Sequence, residues 1–126
     1  MLKRVGFYET SEEVNNLTRS NAATDEQLIA NYLSNGETLI ATGSWADDLV
    51  DPHNTRICQY MVHTDGTWVW PSSLPYYVSR YHIELPTDFT QHMESRNWKP
   101  PTLDGEQLDN VVEQFMLEES IEPHGS

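Results

Sequence analysis

Cys58 and His63 carry the side chains that could act together as a nucleophile and its base. They lie five residues apart in a segment with strand character, and this odd offset places the two side chains on opposite faces of a strand. We therefore interpret Cys58 as a structural cysteine and expect no catalytic residue in the chain.

The spacing of metal-binding residue types is also unlike that of known metal sites. The chain has five histidines: His53, His63, His82, His92 and His124. None of them belongs to the close His or Cys pairs that are typical of a zinc site. Asp47, Asp48 and Asp51 resemble a fragment of a calcium loop, but the glycine and the final glutamate of such a loop are missing. No glycine-rich phosphate loop is present. The sequence therefore predicts neither a metal site nor a cofactor.

The charge of the chain is strongly negative, with 20 acidic against seven basic residues and a formal net charge of -13. Nucleic-acid binding depends on Lys and Arg to neutralise phosphates, and the negative cytoplasmic leaflet repels an anionic protein. We therefore expect no nucleic-acid and no membrane partner, and a basic protein is the better electrostatic match. Acidity also promotes solubility by itself, and the composition leaves that alternative open.

Two regions concentrate the acidic residues. The segment Ala46 to Thr55 predicts an exposed acidic loop, and beyond Pro100 the chain has seven acidic residues and no Lys or Arg. Trp and Tyr side chains dominate many binding surfaces where they are exposed. Trp45, beside the acidic loop, and Tyr76 are therefore better contact candidates than the aromatic residues expected in the core. The predicted partner-binding residues are Trp45, Asp47, Asp48, Asp51, Tyr76, Asp109 and Glu113.

The length and composition indicate one small domain. The chain has 126 residues, 37% of them hydrophobic, and 13 aromatic side chains, which is sufficient for a core despite the charge. We expect a single domain over 1–120 and a frayed tail over 121–126. A single cysteine, together with the lack of a secretory signal and of a long apolar run, favours a soluble protein of the reducing cytoplasm. The oligomeric state stays open.

Hydrophobic periodicity predicts strands and helices in alternation. A strand is expected over 3–9, weak helical character over 10–23, and an amphipathic helix that begins at Thr24 and ends at Gly36. A strand with a half-buried face is expected from Glu37 to Trp45.

Three further helices are predicted in the second half of the chain. One follows Pro71, one begins at Thr87, and one begins after Asp104, where Gln107 completes a capping pattern. The last helix presents Phe115 and other apolar residues at helical spacing to the sheet.

Asp65-Gly66 is typical of a two-residue type I′ hairpin. Pairing Thr64 with Thr67 predicts His63 opposite Trp68 and Met61 opposite Trp70. We expect most of the aromatic side chains near the hairpin to pack between the sheet and the helices: Trp68, Trp70, Tyr77 and Tyr81. The fold class is α+β, with an antiparallel sheet of about four strands, a central hairpin and roughly three or four covering helices. A parallel crossover stays open for the first strand.

The hairpin and the segments after it carry a resemblance. The stretch Thr64-Asp65-Gly66-Thr67-Trp68-Val69-Trp70-Pro71, with Leu74, Tyr76-Tyr77-Val78, Leu85-Pro86 and Phe89, resembles a pattern in small bacterial proteins, most of them uncharacterised. It implies structure and transfers no functional residue.

The size, acidity and α+β layout of the whole chain resemble immunity proteins of bacterial toxin systems, including contact-dependent inhibition. The resemblance implies a cytoplasmic protein that binds and neutralises a cognate toxin domain. An acidic inhibitor can be steered to the basic phosphate-binding cleft of a nuclease toxin, where carboxylates stand in for phosphates. Under this hypothesis the protein is not an enzyme.

Two other functions stay open. A small enzyme or ligand-binding domain would use His63, Trp68 and Trp70 on one face of the hairpin; a pocket there favours it, and closed packing of that face counts against it. A structural assembly subunit is the other possibility, and self-association would favour it.

Overall fold

A computed structural model describes residues 1–120 of the chain. Five helices are present in this part: α1 Ser11–Leu17, α2 Glu26–Ser34, α3 Leu74–Tyr81, α4 Thr87–Ser95 and α5 Gly105–Ser120. Four strands are present: β1 Lys3–Arg4, β2 Glu37–Ala46, β3 Cys58–Thr64 and β4 Trp68–Pro71. The strands form one open sheet in the order β1-β4-β3-β2. The expected tail over 121–126 lies outside the described residues.

The sheet is mixed: the expected antiparallel pairing is found for three strands, and the first strand has the parallel pairing that the sequence left open. β1 runs parallel to β4, whereas β4, β3 and β2 are antiparallel neighbours. The chain leaves β1 at one edge of the sheet and returns at the other edge as β2, after α1 and α2. A long helical connection of this kind is what parallel strands require.

The first strand is also shorter than predicted. Only Lys3 and Arg4 belong to β1, and the Val5 N–H still donates to the Val69 carbonyl at 3.1 Å. The partner strand β4 is four residues long, and its last residue, Pro71, falls opposite Gly6 in the register. From Phe7 onward the segment therefore has no partner strand beside it. The consequence is a gap in the sheet at this end.

The helices pack on both faces of the sheet. Trp68 and Trp70 point to one face and join the larger core, to which α1, α2, α3 and α4 contribute. Val69 points to the opposite face, where it packs with Val62 and with Phe115 of α5. The prediction that the last helix docks on the sheet through its apolar stripe is therefore confirmed.

The hairpin forms at the centre of the sheet, but its predicted register was wrong by two residues. Thr64 lies opposite Val69 instead of Thr67. The Asp65 carboxylate accepts the backbone N–H groups of Thr67 and Trp68 at 2.9 and 2.8 Å. These bonds continue the link between the two strands beyond the Thr64–Val69 pair. Of the two predicted turn residues, Asp65 and Gly66, only Gly66 has a positive φ, 96°. A type I′ turn requires a positive φ at both, so it is not formed. A shift of two leaves every side chain on its predicted face.

Two helix predictions need correction in detail. α1 is a defined helix with a capping box between Thr10 and Glu13, a signal present in the sequence. α2 begins after Asp25 instead of Thr24, and its Leu28 is exposed whereas Ile29, Tyr32 and Leu33 are buried.

Candidate functional site

The acidic loop, residues 47–56, connects β2 to β3 and is closed at its base by the Ile57 N–H, which donates to the Ala46 carbonyl at 2.8 Å. Within it, the Asp48 N–H donates to the Asn54 carbonyl at 3.0 Å. The Arg56 N–H donates to Asp47 Oδ1 at 2.9 Å. These bonds fold the loop back on itself.

Asp48 is the internal anchor of the acidic loop, and its predicted exposure was wrong. Its residue is 4% exposed. Oδ1 accepts the N–H groups of Val50 and Asp51 at 2.7 and 2.9 Å. Oδ2 accepts the hydroxyls of Tyr76 and Tyr81 of α3, at 2.7 and 2.6 Å. The carboxylate therefore ties the loop to α3 and is covered from solvent.

The charge of Asp48 is stabilised by these four donors. Burial is the largest single influence and would raise the pKa of the carboxyl, but the hydrogen bonds from Tyr81, Tyr76, Asp51 and Val50 together hold the pKa below its ordinary value. Burial, followed by the contact with Asp48, raises the pKa of Tyr81 to about 12. The phenol is therefore a neutral donor to a charged acceptor at neutral pH.

Tyr76 was predicted as a contact residue, and the structure uses its hydroxyl inside the protein. That hydroxyl donates to Asp48 and accepts from Asn54 Nδ2 at 2.6 Å. The neighbouring Tyr77 is buried, and its hydroxyl accepts the Leu49 N–H at 3.0 Å. Tyrosines of α3 thus hold both halves of the loop.

We name three of the predicted residues the loop surface: Trp45, near the end of β2, and Asp47 and Asp51 of the acidic loop. Trp45 is 50% exposed, with the Arg56 guanidinium 5.8 Å from its ring centroid. Asp47 is exposed and Asp51 half-buried. Each accepts a backbone N–H of the loop, from Arg56 and His53 respectively. The acidic side chains are therefore held in defined positions.

Asp109 and Glu113 are exposed on α5, which covers the opposite face of the sheet from α3. The acidic face of this helix is less free than the sequence indicated. Glu118 Oε2 accepts the Leu2 N–H at 2.9 Å, and Glu119 pairs with Arg4 at 3.0 Å. The structure therefore separates the predicted residues into two surfaces and does not bring them together.

Asp65 is a second buried carboxylate, which the sequence analysis treated only as a turn residue. It is 1% exposed. Besides its two backbone bonds in the hairpin, Oδ2 accepts the Tyr32 hydroxyl at 2.6 Å and lies 3.1 Å from His92 Nε2. Burial and then the bond to Asp65 raise the pKa of Tyr32. Aspartate favours turns in which its carboxylate accepts nearby backbone N–H groups, so this role has a local signal in the sequence. The contacts with Tyr32 and His92 come from distant segments and have none.

The hairpin face proposed for a ligand is closed. Trp70 is fully buried, and its indole N–H donates to the Leu33 carbonyl at 3.0 Å. Trp68 is buried and stacks on Phe89 with a centroid distance of 4.5 Å. His63 is half-buried, and burial lowers the pKa of its imidazole. Both tryptophan rings are therefore part of the core.

Cys58 and His63 have separate environments. Cys58 Sγ lies 3.7 Å from Ser72 Oγ, whereas His63 Nδ1 lies 3.3 Å from Thr38 Oγ1. No group of three or more His, Cys, Asp and Glu side chains with metal-binding geometry occurs within 1–120. In the same range no helix has both the length and the apolar character needed to cross a membrane.

No protein-family model matches this chain, and comparison with curated proteins and with solved structures gives no significant match.

Proposed function

We propose that this protein is an acidic inhibitor that binds a basic protein partner, of the kind formed by immunity proteins and their toxins, and that the loop surface makes the contact. The observation that carries the proposal is the buried Asp48 carboxylate. Its four hydrogen bonds fix the loop before any partner arrives. A preordered loop loses little conformational freedom on binding, which favours affinity.

The composition of the loop surface supports the same proposal. Trp45 offers a large exposed ring, and exposed tryptophans are frequent hot spots of protein interfaces. Asp47 and Asp51 add charge beside it, and the net charge of -13 attracts a basic partner from a distance. An inhibitor of this kind acts by covering the basic active site of its partner, such as that of a nuclease toxin.

The proposal is tested by capture and inhibition. Immobilised protein is incubated at 50 mM and 500 mM NaCl with a bacterial lysate and with the product of any toxin gene encoded beside this chain. We expect retention of one basic protein at low salt, loss of most of it at high salt, and inhibition of its activity in the complex. Retention of no basic protein at 50 mM NaCl would contradict the proposal.

The enzyme or ligand-binding alternative loses its predicted surface. Trp68 and Trp70 are buried, and the Asp65 carboxylate accepts the Thr67 and Trp68 N–H groups and the Tyr32 hydroxyl. His92 Nε2 lies 3.1 Å from the same carboxylate. Packing of this kind holds the hairpin against α2 and α4. We therefore infer that Trp68, Trp70 and Asp65 stabilise the fold.

A further inference from the structure

A cleft of about 290 Å³ lies at the end of β4. β4 ends at Pro71, where the chain turns into α3, whereas the segment after β1 continues from Gly6 to Glu9. Backbone therefore does not fill the space between this segment and Tyr60 of β3. Asp47, at the start of the acidic loop, also lines the cleft.

Gly6 lets the wall of the cleft pack closely on α3. Its φ is 84°, and a Cβ at this position would lie 2.8 Å from the side chain of Leu74. A larger residue would push the segment away from the helix. The close approach of the Gly6 backbone to Leu74 thus fixes the position of this wall of the cleft.

Three tyrosines and two acidic residues give the cleft its character, and we name it the tyrosine cleft. Tyr8, Tyr60 and Tyr77 line it, and the rings of Tyr8 and Tyr77 meet edge to face at 5.9 Å. Glu9 and Asp47 are exposed and also line it. None of the lining residues is basic.

This combination suits a cationic side chain. Aromatic faces attract cations, and a planar guanidinium can stack on a ring while it donates to a carboxylate. Burial, followed by Glu13 and Tyr77, raises the pKa of Tyr8 to about 12, so the phenol is neutral and the charge of the cleft comes from its carboxylates. The chain itself pairs Arg56 with an aromatic ring at 5.8 Å.

We propose that the tyrosine cleft receives an arginine side chain of the basic partner. The inference rests on the proposed function, because it names the chemical group by which that partner is recognised. The cleft adjoins the loop surface through Asp47, so one arginine in the cleft and the contacts of Trp45 form a continuous interface.

The test uses two small probes, N-acetyl-arginine amide and its neutral isostere N-acetyl-citrulline amide, titrated into the whole protein and followed by amide NMR. We expect saturable shifts around Tyr8, Tyr60 and Asp47 with the arginine probe and none with the citrulline probe. Glu9→Gln and Tyr8→Leu should each weaken binding of the arginine probe at least threefold, whereas Asp109→Asn should not change it. Glu9→Gln keeps an exposed polar side chain, so it reports even where Tyr8→Leu destabilises the fold.

Equal binding of both probes, or shifts confined to other surfaces, would overturn the inference. The outcome separates from that of the proposed function. Probe binding in the cleft without any captured basic protein supports the cleft and contradicts the function. A captured partner that loses affinity through Asp47→Asn/Asp51→Asn but not through Glu9→Gln or Tyr8→Leu supports the function and contradicts the cleft.

Discussion

Two phenols of α3 meet on one oxygen of Asp48, and two loop amides meet on the other. A carboxylate in this position contributes order to the loop but no charge to its outer surface. Under the proposed function the acidic loop therefore acts through Asp47 and Asp51, which flank Asp48 in the loop that this carboxylate orders.

The substitution Asp48→Ala tests this dependence. It removes an acceptor for four donors and leaves two tyrosine hydroxyls without their partner, so we expect the free energy of unfolding to fall by about 2–4 kcal/mol. Urea denaturation measures the change. Asp109→Ala, on the exposed face of α5, serves as the control and should change stability by less than about 0.5 kcal/mol. A loss for Asp48→Ala as small as that of the control would show that the loop is held by other contacts.

The lowered pKa of Asp48 makes its contribution depend on pH. A carboxyl whose pKa is lower in the folded than in the unfolded state stabilises the fold fully above the unfolded value, about 3.9, and loses this effect as pH falls through the folded value. Asp48→Asn cannot titrate. We expect the difference in unfolding free energy between the native protein and this variant to be constant from about pH 7 to 5 and to narrow towards about pH 3. A difference that stays constant over this whole range would contradict the assignment.

The site residues were predictable from the sequence only to the extent that local rules apply. A polar segment with proline and several aspartates predicts a loop, and the loop is found. Asp48 looks no different from Asp47 in sequence. Its burial depends on Tyr76 and Tyr81, 28 and 33 residues away, and a contact of this kind has no local signature.

The helices and strands show the same difference between features that the local sequence specifies and features that depend on distant contacts. The periodicity of apolar residues predicted α2, α3, α4 and α5 and the strands of the hairpin, because each is specified within its own segment. The hairpin register differed because the Asp65 carboxylate takes backbone donors in place of the expected turn. The parallel pairing of β1 depends on which edge of β4 is free, and this is a property of the whole sheet.

Gly36 illustrates an element boundary that is set by packing. Its position in the sequence predicts only the end of α2, but a Cβ there would lie 2.5 Å from Cζ2 of the buried Trp70. Gly36→Ala is expected to lower the free energy of unfolding by about 1–3 kcal/mol. Gly105→Ala is the control, because nothing lies within 4 Å of its added Cβ. Chemical denaturation of both variants measures the effect, and equal stabilities would contradict close packing at Gly36.

On the scale of the whole molecule, the exposed acidic residues predicted as partner contacts lie on two separate surfaces. The loop surface lies beside α3, and Asp109 and Glu113 lie on α5 across the sheet. Net charge acts at long range and does not distinguish them, whereas short-range contact does. Two variants that lose the same charge, one on each surface, therefore distinguish long-range attraction of the partner from direct contact with it.

The most direct test compares Asp47→Asn/Asp51→Asn with Asp109→Asn/Glu113→Gln in their affinity for the captured basic partner, measured at one low salt concentration. Asn retains the oxygen that accepts each loop N–H, so the first variant removes charge without removing the loop's own bonds. We predict at least a tenfold loss of affinity for the loop variant, about 1.4 kcal/mol, and less than a threefold loss for the α5 variant. Equal losses, or a larger loss for the α5 variant, would contradict the loop surface as the contact.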